Sequence, residues 1–111
     1  MIPPAIRERY LQDPLPIRLG GLAADLARIS SCSANPRNAE VISGLMEEGK
    51  YFAEWAAPEA EPDVQAALAE VQRWLAHSHR GWLAGRRDAS IGQEAQRWSD
   101  RLLELSGLLA Q

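Results

Sequence analysis

With 111 residues, 46% hydrophobic and 24% charged, the chain has the proportions of one small globular domain and excludes a disordered or fibrous class. Its net charge of −3 gives no basic stripe for a nucleic acid. A lone cysteine, Cys32, allows no internal disulfide, and the prolines and charges of Ile2 to Glu8 are unlike a signal peptide, so a cytoplasmic protein outside the membrane is expected.

Proline punctuates the chain, and between prolines the apolar residues recur at helical spacing with no two-residue alternation. A first short helix is predicted over Pro4 to Leu11, broken by Asp13-Pro14-Leu15-Pro16, because proline denies the preceding residue helical geometry. It forms an arm covering about residues 1–14. A second helix is predicted from Pro16 to Cys32, with Leu19, Leu22, Leu26 and Ile29 on one face. Asn35-Pro36 reads as an N-cap with proline at the first helical position, opening a third helix to Trp55. Its predicted stripe is Val41, Leu45, Glu48, Phe52 and Trp55.

Pro62 and Asp63 suit the first turn of a fourth helix that runs to Leu83. Its stripe is Val64, Leu68, Val71, Leu75, Ser78 and Trp82, and a fifth helix after Gly85-Arg86-Arg87-Asp88 carries Ile91, Ala95, Trp98, Leu102, Leu105 and Leu109. Spacings of this kind keep an apolar seam toward neighbours crossing at a shallow angle. The expected fold is therefore all-α: a single domain of an antiparallel four-helix bundle over about residues 16–110, with the N-terminal arm packed on it.

Few features suggest chemistry. Both histidines fall in Arg73 to Trp82, but His77 and His79 are two apart and point to different faces of a helix, so no metal site is expected. Cys32 sits at a helix C-terminus, whose dipole disfavours a thiolate, and no cofactor motif is present. Glu48 lies on a predicted seam, which calls for a paired arginine or a wet site. Several glycines inside helical runs each cost about 1 kcal/mol against alanine, which close helix packing or an internal cavity would offset.

Tryptophan is overrepresented, with four copies against three other aromatics. Trp82 and Trp98 occupy predicted seam positions and core packing explains them, whereas Trp74 and Tyr51 fall outside the seam, where aromatics anchor partners or line a ligand slot. Charge is also uneven. Glu40 to Glu70 holds eight carboxylates against Lys50 alone, and Arg73 to Arg101 holds six arginines against three acids. Such asymmetry suits an acidic surface meeting a basic one, within the domain or between two copies.

Two resemblances bear on function. Ile6 to Pro16, Glu59 with its neighbours, and Trp98-Ser99-Asp100-Arg101 resemble small all-helical cyanobacterial proteins of an uncharacterised family, which implies a compact helical protein and transfers no catalytic residue. Arg73 and His79, with five residues between them, resemble the arginine and histidine of HEPN-type bundles, many of which cut RNA; the usual intervening polar residue is absent. The favoured expectation is a non-catalytic interaction module that self-associates, most simply as a dimer, or docks on another protein. A small-molecule slot near Trp74, Trp82 and Glu48 is the second, with Tyr51 and His77 as further candidate binding residues, and an RNA-cleaving bundle built on Arg73 and His79 the third.

Overall fold

The computed structural model describes residues 3–110, so Met1 and Ile2 of the expected arm lie outside the described residues. The protein is all-α: α1 (Pro4–Gln12), α2 (Leu15–Cys32), α3 (Ala39–Ala56), α4 (Pro62–Leu83) and α5 (Ile91–Ser106), with no strand among the described residues. No helix among them is long and apolar enough to cross a membrane.

Local chemistry sets the boundaries. Pro4, Pro16 and Pro62 lie in first turns, where a missing N–H is no loss. Asp13, held extended by Pro14, ends α1. The third helix does not open at Pro36 as an α-helix. Instead the Asn35 side chain accepts the Arg37 N–H at 3.0 Å and Pro36–Asn38 form a 3-10 turn, so α3 starts at Ala39. Gly85 and Gly107, at φ of 88° and 80°, end α4 and α5 in the left-handed conformation that glycine takes without strain. The fifth helix accordingly stops at Ser106, and Leu109 is exposed rather than part of a seam.

The helix α2 is the centre of the packing, touching α3 on one side and α5 on the other; α3 carries α4, and α1 lies on α3. As predicted, Leu19, Leu22, Leu26 and Ile29 are buried, and contact on two sides also buries Ala23 and Asp25. The burial pattern of α3 differs from its predicted stripe. Val41 is 46% exposed, Glu48 and Trp55 are half-buried, and the buried positions are Ile42, Leu45, Met46, Gly49, Phe52, Ala53 and Ala56. Gly49 is the reason sequence and burial diverge: a Cβ there would stand 3.0 Å from Leu75 and 3.6 Å from Leu22, so the missing side chain is what lets α3 approach both neighbours.

Similar exchanges occur on the last two helices. On α4, Val64, Leu68, Val71, Leu75 and Trp82 are buried, but His79 takes the place predicted for Ser78. On α5, Ile91, Ala95 and Leu102 are buried while Trp98 and Leu105 are only half-buried. Ser99 faces α2 instead, and its hydroxyl donates to the Ala23 carbonyl at 2.8 Å. A small hydroxyl there allows closer approach than an indole and is satisfied by a backbone acceptor.

Candidate functional site

Because α4 leans on α3 and α5 on α2, α4 and α5 barely touch, and a groove of about 550 Å³ opens between them. Its α4 wall presents Asp63 and Glu70, its α5 wall Glu94, Arg97 and Arg101. Ala66, Ala67 and the half-buried indoles of Trp74 and Trp98 supply the apolar surface between the charges. One hydrogen bond spans the groove, from the Trp74 Nε1–H to Glu94 Oε2 at 3.0 Å. Arg101 has a loose exposed pair with Glu104 at 3.6 Å, and Arg97 has none among the described residues.

Beyond Trp74 a second cavity, of about 490 Å³, lies between the end of α4 and the start of α5; His77, Arg80, Arg86 and Asp88 line it. The acidity of Asp88 is strengthened because its carboxylate accepts the Ser90 N–H and hydroxyl, both at 2.9 Å. A third, smaller cavity of about 340 Å³ lies against α1, where Arg9, Tyr10 and Asp13 face Glu48 and Phe52 of α3.

The residues singled out from the sequence are thus distributed. Trp74 stands at the junction of the first two cavities and His77 shares the second with it. Trp82 is buried, donates its indole N–H to the Ala39 carbonyl at 2.9 Å, and lies under the Arg87 guanidinium at 3.9 Å. Tyr51 is half-buried with its ring 5.5 Å from that of Trp55, and Glu48 belongs to the third cavity. Trp74, Trp82 and Glu48 therefore share no single slot. Arg73 is exposed, whereas His79 is buried with Nε2 2.9 Å from the Ser43 hydroxyl, and neither lines any of the three cavities above. Burial and the nearby Lys50 favour neutral His79 and lower its pKa.

Sequence reasoning misses a buried polar cluster under α1. Tyr10 stacks on Phe52 at 4.0 Å and donates its hydroxyl to the Arg18 carbonyl at 2.8 Å, fixing α1 to α2 and α3 together. Burial raises the Tyr10 pKa, so the phenol stays protonated. Arg18, only 2% exposed, donates Nε to the Asp13 carbonyl at 2.9 Å and Nη2 to Glu59, while its Nη1 finds no partner. Asp25 is 6% exposed; burial, then the adjacent Glu48 carboxyl, push its pKa up to about 8, and its Oδ2 is unpartnered. A signal for the cluster does exist in the spacing: positions 18, 22, 25 and 29 share one helix face, so Arg18 and Asp25 interrupt an apolar stripe.

No protein-family model, curated protein or solved structure matches the chain.

Proposed function

We propose that the protein is a non-catalytic helical interaction module that self-associates through the α4–α5 groove. The observation that carries this reading is the division of charge across the groove: Asp63 and Glu70 on the α4 wall, Arg97 and Arg101 on the α5 wall beside a Glu94 already taken up by the Trp74 indole N–H, and indoles between them. A two-fold axis running along the groove lays α4 of one copy over α5 of the other. The acidic wall of each copy then meets the basic wall of the other, and Trp74 and Trp98 are covered from both sides. A self-complementary surface of this kind selects its own copy by charge and gains affinity from the aromatic rings. In this reading α2 to α5 make an antiparallel four-helix bundle, α1 is its arm, and the module works in the cytoplasm, which the unpaired Cys32 supports.

Light scattering after size-exclusion chromatography, over a range of concentrations, tests it. A dimer is expected whose dissociation constant rises about tenfold with Glu70→Arg or Arg97→Glu, since each exposed pair is worth up to about 1 kcal/mol and occurs twice. The two substitutions combined should restore association, and Trp74→Ala should weaken it. A chain that stays monomeric, or a dimer indifferent to both charge reversals, refutes the proposal.

A further inference from the structure

The cavity beyond Trp74 is unlike the groove in how its polar groups are used. Its two acids are already engaged: Asp88 accepts from Ser90, and Glu94 accepts the Trp74 indole N–H. Its basic groups are not. Among the described residues, the side chains of His77, Arg80 and Arg86 take part in no hydrogen bond or ion pair, although all three line one space. The neighbouring Arg87 shows the contrast, since its guanidinium lies over Trp82 and donates to the Trp82 carbonyl.

The formal charges of Arg80 and Arg86 balance those of Asp88 and Glu94, so bulk charge does not distinguish the cavity. What it has in excess is hydrogen-bond donors. Two guanidinium forks and an imidazole facing one space match an anion with several acceptor oxygens, because planar guanidinium N–H pairs fit phosphate geometry. The remaining lining holds the half-buried ring of Trp74 and the buried side chain of Ile91, with Ser78 and Gly81 beside them. A volume of about 490 Å³ lies within the usual range of small-molecule sites.

We propose that this cavity binds a phosphate monoester carrying a flat aromatic ring, a mononucleotide in size, with the phosphate on Arg80, Arg86 and His77 and the ring against Trp74. The site lies beyond Asp63, Glu70, Arg97 and Arg101 of the groove but shares Trp74 and Glu94 with it; all of its residues come from one copy, so it exists without association.

Titration of the ¹⁵N-labelled full chain with adenosine 5′-monophosphate, followed by NMR at the Trp74 indole N–H and the Gly81 and Ile91 amides, tests this. Saturable shifts at these positions are expected with a dissociation constant of about 1 mM or tighter, the strength of a few charge-assisted hydrogen bonds. Adenosine alone and inorganic phosphate alone should each bind at least about tenfold more weakly, since each lacks half of the contacts. The double variant Arg80→Ala/Arg86→Ala, which removes only exposed side chains, should lose at least about tenfold in affinity with the rest of its spectrum unchanged. Glu70→Arg changes no residue of this cavity and should bind the monophosphate saturably, at least as tightly as the unmodified chain because Trp74 is shared with the association surface, which separates failure of this site from failure of self-association. Absence of saturable shifts, adenosine binding as well as its monophosphate, or full affinity in the double variant would overturn the assignment.

Discussion

Replacing Asp25 with asparagine tests the buried acid beside the half-buried Glu48. In the unfolded chain this carboxyl ionises near 3.8, whereas in the fold it holds its proton up to about 8. Between those values the native state binds one proton more than the unfolded state, so its stability falls as pH rises. The contribution is fully present below about pH 4 and lost as pH climbs toward 8. Each pH unit is worth about 1.4 kcal/mol, which makes the ionisation penalty less than about 1 kcal/mol at pH 4 and about 4 kcal/mol at pH 7. The amide introduced by Asp25→Asn would have the shape of the protonated acid and an N–H to donate toward Glu48, without a charge to bury. Urea unfolding followed by circular dichroism at several pH values should give nearly equal stabilities at about pH 4 and a gap that widens steadily in favour of Asp25→Asn toward pH 8. Comparison at each pH cancels the titrating groups that do not interact with Asp25, including His79, whose lowered pKa adds stability that is lost as pH falls. Parallel curves, or a less stable asparagine variant at pH 8, would refute the account of Asp25 as a buried proton-bearing acid.

Two glycines with open space around them should respond in opposite directions. Gly85→Ala should cost about 1 kcal/mol, because the φ of 88° strains any side chain, while Gly44→Ala inside α3 should stabilise by up to about 1 kcal/mol through helix propensity; urea midpoints measure both. Ser99→Ala removes the buried hydroxyl that donates to the Ala23 carbonyl and should destabilise by about 1 kcal/mol in the same assay; an unchanged midpoint would mean the contact contributes nothing.

The all-α class, all five helices and most of their limits were legible in the sequence because proline and glycine act locally, through φ and a missing N–H, whatever packs nearby. Which face of each helix is buried was less legible. The leucines of α2 announced themselves, but in α3 the true contact face is centred on Gly49, whose importance lies in having no side chain. In α5, Trp98 outweighs Ser99 in apolarity, yet the serine is buried because it fits beneath α2 and finds a carbonyl. The polar cluster escaped for a related reason: Arg18 and Asp25 are charged residues, and their burial depends on Tyr10, Glu48 and Glu59, which are distant in the chain. Trp74 was picked out by falling outside a seam, whereas the groove and the cavity at its end exist only because α4 and α5 rest on different neighbours.

The central place of α2 has a consequence for how the chain is made. A ribosome delivers α2 before α5, so the side of α2 bearing Ala23 has no native cover until residues 91–106 emerge. Docking of α3 can shield only the opposite side in the meantime. The nascent chain therefore carries an apolar strip until α5 emerges, closed by contacts such as that between Ala23 and Ser99, 76 residues apart. Release of a chain broken off before α5 would leave that strip bare and make the fragment prone to aggregate.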